Sequence, residues 1–350
     1  MNISVIGTGS FGTSLAIVLN DNKHDVLMYG RNEATVQEIN DLKTNEKYLK
    51  NIQLDNGIQA TTSLSDAVEH CEIIVLAVPV IAMRKMATDI HELLKSFNKR
   101  ILVVHVAKGL ELDTYKRVSE VLTEVFDDST VSDIGVLSGP SHAEEVAEKQ
   151  PTTVSVASVN STGAELLQDV FMTEYFRVYV NHDLIGVEIG GALKNIVALA
   201  VGALSGYGFG DNPKAAVITR GLHEIARLGT KLGANPLTFL GLTGMGDLIV
   251  TATSQHSRNY RCGQMLASGL TLEEATKKMG MVVEGVNTTR AAHELAIAED
   301  IEMPITTTLY GYLFDGISED EAFAALMQRE KTSESEGLKQ LLENQIKNSK

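Results

Sequence analysis

Two spacings of hydrophobic residues divide the chain near residue 183. Before it, short apolar runs suited to buried strands alternate with segments whose apolar positions recur every three or four residues. The strand-like runs are Ile3 to Ile6, Asp25 to Tyr29, Glu72 to Val78, Ile101 to Val106, Ile134 to Leu137, Thr152 to Ala157 and Phe176 to Tyr179. Helical spacing falls after Gly12, near Glu33 to Leu42, at Ser65 to His70 and at Ile81 to Leu94, with a loop between Leu42 and Ser65. This alternation predicts an α/β, doubly wound parallel sheet. Beyond residue 183 the strand pattern stops, and an apolar run from Leu184 to Leu204 opens an all-α half. The domains therefore read as 1–182, 183–330 and a polar tail, 331–350, with no chemistry in it.

The first strand runs directly into Gly7-Thr8-Gly9-Ser10-Phe11-Gly12, a Gly-x-Gly-x-x-Gly turn that opens a helix. Gly7 permits the tight turn, Gly9 lets a pyrophosphate approach the backbone, and Gly12 lets the helix pack on the strand, leaving amides at the helix N-terminus for phosphates. An ordinary glycine-rich turn would carry the same spacing. The strands on either side of it favour a dinucleotide-binding, Rossmann-like domain. The second strand ends in Tyr29-Gly30-Arg31-Asn32, without an acid for the ribose hydroxyls of NAD. Arg31 can pair with a 2′-phosphate and lie against adenine, so the expected cofactor is NADP(H) or NAD(H), with NADP accepted.

In the helical half, Lys194 has Gly190, Gly191, Val197 and Ala198 as its neighbours one turn away, which puts its ammonium on a small, apolar stripe. Such a lysine either snorkels to water or needs a partner, and a buried one loses its proton readily, as a general acid or base must. Asp247 follows the turn Leu242 to Gly246, and Ser257-Arg258-Asn259 opens a helix with a hydroxyl, a planar cation and backbone donors, a set that suits a phosphate monoester. Glu284 stands in the apolar run Met281 to Val286. In the first half, the residues just past the strands include Lys108, Gly139 and Ser141, where ligands of open parallel sheets bind. His142 reads as a capping or packing residue and is not assigned chemistry.

With 350 residues, 44% hydrophobic and 21% charged, the chain is long enough for two cores and belongs to no structureless class. A net charge of −15 argues against nucleic acid and anionic membrane surfaces as partners. Cys71 and Cys262 have neither metal-ligand spacing nor the count of a disulfide framework, so no metal and a reducing, cytoplasmic setting are expected. A strand starting at residue 2 leaves no room for a signal peptide, and Glu188, Lys194 and Asn195 interrupt the longest apolar stretch, so no membrane insertion is expected.

Several runs occur in the order found in one family: Gly7 to Gly12, Val106 to Glu111, Ser138-Gly139-Pro140-Ser141-His142-Ala143, and Glu188 followed by Ala192-Leu193-Lys194-Asn195. Gly244-Met245-Gly246-Asp247-Leu248, Ser257-Arg258-Asn259 and Val283-Glu284-Gly285 complete the series. Through about Met327 the chain resembles the bacterial NAD(P)-dependent glycerol-3-phosphate dehydrogenases. The resemblance implies a helical second domain like that of 6-phosphogluconate dehydrogenase. It implies proton transfer by Lys194 with Asp247 beside it, and a substrate set of Lys108, Gly139, Ser141, Lys194, Asp247, Ser257, Arg258 and Asn259. Beyond Gly7, Gly9 and Gly12, it implies cofactor contacts at Ser10, Phe11, Arg31, Lys108, Ala143, Arg258, Val282 and Glu284. The implied substrate pair is dihydroxyacetone phosphate and sn-glycerol 3-phosphate, feeding phospholipid synthesis. Oligomeric state is not legible, and a homodimer is kept open.

Three other classes compete. A different two-domain dehydrogenase would share the front half but would lack the anion site at Ser257 to Asn259. A non-catalytic NADP-binding regulator would keep Gly7 to Gly12 and have no use for Lys194. A structural or adaptor protein would neither bind nor oxidise NADPH.

Overall fold

The computed structural model describes residues 1–331, 333 and 334, so the expected polar tail lies almost wholly outside the described residues. The chain forms two compact units. The first comprises Met1–Ala107 and Val118–Leu184; the second comprises Lys108–Arg117 and the described residues from Ile185 onward.

In the first unit an eight-stranded sheet has the order β3-β2-β1-β4-β5-β6-β7-β8. Its strands are β1 (Asn2–Ile6), β2 (Asp25–Tyr29), β3 (Ile58–Thr61), β4 (Ile73–Leu76), β5 (Ile101–His105), β6 (Val131–Ser138), β7 (Thr152–Ser158) and β8 (Phe176–Val180). The helices of this unit are α1 (Ser10–Asp21), α2 (Glu33–Gln37), α3 (Leu64–His70), α4 (Val80–Ser96), α5 (Val118–Val125), α6 (Ala143–Ala147) and α7 (Ser161–Phe171). Alternate residues of one strand enter different cores: Ile73 and Val75 pack in one cluster, Ile74 and Leu76 in another. Both faces of the sheet are therefore covered, which is why its strands read as continuous apolar runs. Strand order reverses between β1 and β4, and the Gly7–Gly12 turn leaves β1 at that switch point.

Three features of this unit depart from the sequence reading. β3 lies where a loop was expected, because four residues on the sheet edge carry too short an alternation to stand out. β7 pairs antiparallel with β6, a reversal that the parallel-sheet pattern of the sequence did not indicate. The expected helix near Glu33 to Leu42 is α2 followed by a π turn, Glu38–Leu42.

Among the described residues, the second unit is helical and carries no strand of the sheet. Its helices are α8 (Leu184–Gly206), α9 (Asp211–Lys231), α10 (Asp247–Thr253), α11 (Arg258–Ala267), α12 (Leu272–Met279), α13 (Glu284–Ala298), α14 (Pro304–Tyr310) and α15 (Glu319–Met327). α8 is long and apolar enough to cross a membrane, yet its most apolar window is 83% buried, and it is the core helix of this unit. It is covered closely by α11: a Cβ added at Gly202 would lie 2.0 Å from the Tyr260 carbonyl oxygen, and one at Gly263 would lie 2.2 Å from that of Leu199. Backbone cannot yield as a flexible side chain does. Gly202→Ala should therefore lower unfolding stability by about 1–3 kcal/mol despite the better helix propensity of alanine. Urea denaturation checks this, and a midpoint equal to that of the native protein would show that the helices separate without penalty.

The single expected boundary near residue 183 also misses a crossing. Residues 108–117 follow β5 in sequence but belong with the helices, because Leu110 is buried in their core. Lys108 is therefore a residue of the helical unit, not of the sheet.

Candidate active site

In the first unit, the turn after β1 has the shape its glycines suggest. Gly7 has φ +124°, and a Cβ there would lie 2.5 Å from the Ala77 carbonyl oxygen; one on Gly12 would lie 2.2 Å from that of Gly7. Gly9 is different: nothing stands within 4 Å of the place where its Cβ would be. That open space, next to a helix start with no side-chain cap and no acid in its first turn, fits a pyrophosphate. The Ser10 hydroxyl donates to the Tyr48 carbonyl (2.8 Å), and Phe11 packs against the sheet core. Arg31 is exposed just beyond β2, and Asn32 caps α2 by accepting from the Thr35 amide (2.9 Å). Gly139, in a left-handed conformation, lies close to Val154; Ser141 donates to the Gly139 carbonyl (2.9 Å), and Ala143 opens α6.

In the second unit the structure brings together Lys108, Lys194 and Asp247. Lys194 is 5% exposed, so its head does not snorkel to water. Its Nζ donates to Asp247 Oδ1 (2.6 Å) and to Thr251 Oγ1 (2.6 Å), and Lys108 Nζ donates to Asp247 Oδ2 (2.7 Å). The π turn Leu242–Gly246 delivers Asp247 as the first residue of α10. The backbone approach is close here too, since a Cβ on Gly190 would lie 2.6 Å from the Thr243 carbonyl oxygen.

One carboxylate thus faces two ammonium groups. Burial pulls the Lys194 pKa down to about 7; Asp247 works against this and Lys108 adds to it. Burial works to raise the Asp247 carboxyl, but the charges of Lys108 and Lys194 prevail and hold it below the ordinary carboxylate value. A lysine poised near neutrality can both give and accept a proton there.

The Ser257-Arg258-Asn259 group is divided by the structure. Ser257 is the N-cap of α11, its hydroxyl accepting from the Tyr260 amide (3.2 Å). Asn259 is buried; it donates to Asn195 Oδ1 (2.8 Å) and accepts from the Gly285 amide (2.9 Å). Asn195 in turn donates to the Lys108 carbonyl (3.1 Å). Arg258 is exposed and donates to the Val282 carbonyl (3.0 Å), and Glu284 is the first residue of α13. Two of the three residues expected at an anion therefore also brace the helices.

Sequence reasoning missed Thr251 and the bracing role of Asn195. Thr251 had a signal, since it lies four residues after Asp247 and so on the same face of α10. Asn195 had none beyond its place next to Lys194. Cys71 and Cys262 are buried, and burial pushes both thiols up to about 11.

Two family profiles cover most of the chain: NAD-dependent glycerol-3-phosphate dehydrogenase N-terminus over residues 2–164 and the C-terminus of the same enzymes over residues 183–324. The chain is 57% identical over 334 residues to the glycerol-3-phosphate dehydrogenase [NAD(P)+] of Macrococcus caseolyticus, covering 95% of this chain and 100% of the relative. It is 52% identical over 345 residues to the enzyme of that name from Bacillus pumilus, with 99% of each chain covered. Among solved structures, glycerol-3-phosphate dehydrogenase from Coxiella burnetii matches with a TM-score of 0.87 and 35% identity, covering 93% of this chain and 98% of that one. A nucleotide-binding sheet and a helical unit in which Lys108 and Lys194 meet the buried Asp247, matched by both profiles, identify the chain as a member of the NAD(P)-dependent glycerol-3-phosphate dehydrogenase family.

Proposed function

We propose that the protein transfers hydride reversibly between NAD(P)H and dihydroxyacetone phosphate, yielding sn-glycerol 3-phosphate for glycerophospholipid synthesis, with Lys194 as the proton carrier. The observation that carries this reading is the buried Lys194 ammonium held on Asp247 and Thr251. When bound, the nicotinamide supplies or accepts the hydride. Gly7, Gly9, Ser10, Phe11, Gly12 and Arg31 would hold the dinucleotide from the first unit, with Lys108, Ala143, Arg258, Val282 and Glu284 as further contacts.

In reduction, the alkoxide growing on the substrate takes a proton from Lys194 Nζ; in oxidation, the neutral amine removes it from the alcohol. Two of the three N–H bonds of Lys194 are directed at Asp247 and Thr251, which fixes the direction of the third. Lys108, on the far oxygen of Asp247, keeps the Lys194 pKa low and supplies a second cation for a substrate oxygen. Arg258 and the N-terminus of α11 would grip the phosphate, with Gly139, Ser141, Ser257 and Asn259 completing the substrate set. The setting is cytoplasmic, where the two buried thiols stay reduced.

The basic assay is loss of NADPH absorbance when dihydroxyacetone phosphate is added. Arg258 gives the sharper test. Its replacement by Ala should lower kcat/KM for dihydroxyacetone phosphate by roughly 10- to 150-fold, the equivalent of about 1.5–3 kcal/mol for bonds to a charged group. Dihydroxyacetone, which lacks the phosphate, should be a poor substrate of both proteins and nearly equal for each. A variant that kept the native ratio between the two substrates would place the phosphate elsewhere, with Lys108 the first alternative.

A further inference from the structure

Glu188 is a buried carboxylate on α8 that takes no part in the chemistry above. Its Oε2 accepts from Arg117 at 2.6 Å, and both side chains are withdrawn from solvent, 14% exposed for Arg117 and 4% for Glu188. Arg117 closes the Lys108–Arg117 loop. It forms a β-bridge with Leu110, the Glu111 amide donates to the Lys116 carbonyl (3.0 Å), and the Tyr115 amide donates to the Glu111 carbonyl (2.9 Å). Leu110 is in turn buried in the helical core, two residues from Lys108. The loop is therefore closed by backbone bonds that link Arg117 across the bridge to Leu110 and so to Lys108, whose carbonyl also accepts from Asn195 on α8 (3.1 Å).

We infer that Glu188 is a positioning residue: by anchoring Arg117 to α8 it sets the Lys108 loop, and through it the contact between Lys108 and Asp247. Arginine suits the task, since its charge is permanent and its planar donors fix a direction as well as a distance. The anchor shares α8 with Lys194, so one helix carries both the proton carrier and the fixed point of the cation opposite it. The charged groups facing Lys194 are Asp247 from α10 and Lys108 from the loop. If the loop drifts, Lys194 loses the repulsion of Lys108 while keeping the attraction of Asp247, and its pKa rises.

The inference rests on the proposed roles of Lys194 and Lys108, and its test separates the two. Glu188→Ala and Arg117→Ala should each lower kcat/KM for dihydroxyacetone phosphate about 10- to 100-fold and move the basic limb of the kcat profile for ketone reduction to higher pH. Arg117→Lys, which keeps a cation within reach of Glu188, should recover part of both effects. In a Lys108→Ala background, Glu188→Ala should change kcat/KM by less than twofold and leave the pH profile where Lys108→Ala alone puts it. Assays are run well below the melting temperature of each variant. A lower melting temperature with native kcat, KM and pH profile would overturn the positioning role, as would full multiplication of the two losses in the double variant. Native activity in Lys108→Ala itself would instead overturn the role given to Lys108. Should Glu188→Ala fail to fold, Arg117→Lys and Arg117→Ala carry the same comparison.

Discussion

Lys194→Ala is expected to lower turnover by about two to four orders of magnitude, the range for loss of a general acid or base, while leaving NADPH binding nearly intact. The geometry gives the reason. Lys194 Nζ is held by Asp247 and Thr251, and the remaining titratable group of the cluster, Lys108, bonds to the opposite oxygen of the same carboxylate. The native enzyme should also show opposed pH profiles. Reduction needs the ammonium, so its kcat should fall as pH rises through about 7; oxidation needs the free amine, so its kcat should rise over the same interval. Lys194→Ala should remove both limbs together with the rate. Fluorescence titration with NADPH and steady-state kinetics in each direction check this, and a variant keeping more than a tenth of native turnover would refute proton transfer by Lys194.

How much of this was legible depended on whether a residue's environment was local in sequence. The neighbours of Lys194 along α8 are small and apolar, so its need for a partner could be read from spacing; the partner, 53 residues away on another helix, could be named only through the family resemblance. The glycine turn was legible because β1, the turn and α1 are contiguous, and each glycine answers a contact within that unit or, at Gly9, an open space. β3 and the direction of β7 were not, since a four-residue edge strand has little pattern and alternation of apolar residues carries no sign of chain direction. The Lys108–Arg117 loop was read as a strand-end loop of the sheet. Its membership in the helical unit rests on Leu110 finding a core, with Leu112 and Tyr115 packed against it, and three scattered apolar residues in a polar stretch are no signal in one dimension. Ser257 and Asn259 show a subtler limit: residue types suited to an anion are equally suited to capping and bracing helices, and the structural bonds they make here could not be told from the sequence.

Asp247→Asn is expected to be the most damaging isosteric change in the helical unit. It leaves the ammonium groups of Lys194 and Lys108 against a neutral amide in a buried place, and breaking a buried ion pair by removing one partner costs about 3–5 kcal/mol. The amide would also have to turn its NH2 toward one of the two cations, a further repulsion that an apolar residue would not add. Urea denaturation measures the loss. The sign of the kinetic effect follows from the same charges. Asp247 opposes the fall in the Lys194 pKa, so without it burial and Lys108 act unchecked and the pKa drops below about 7. At neutral pH the lysine is then largely neutral, and ketone reduction, which needs the proton, should lose more than alcohol oxidation. Lowering the pH should restore part of the reduction rate in the variant, while in the native enzyme the same step brings less gain. A variant with native stability, or one in which both directions fall equally at every pH, would mean that Asp247 does not set the charge of Lys194.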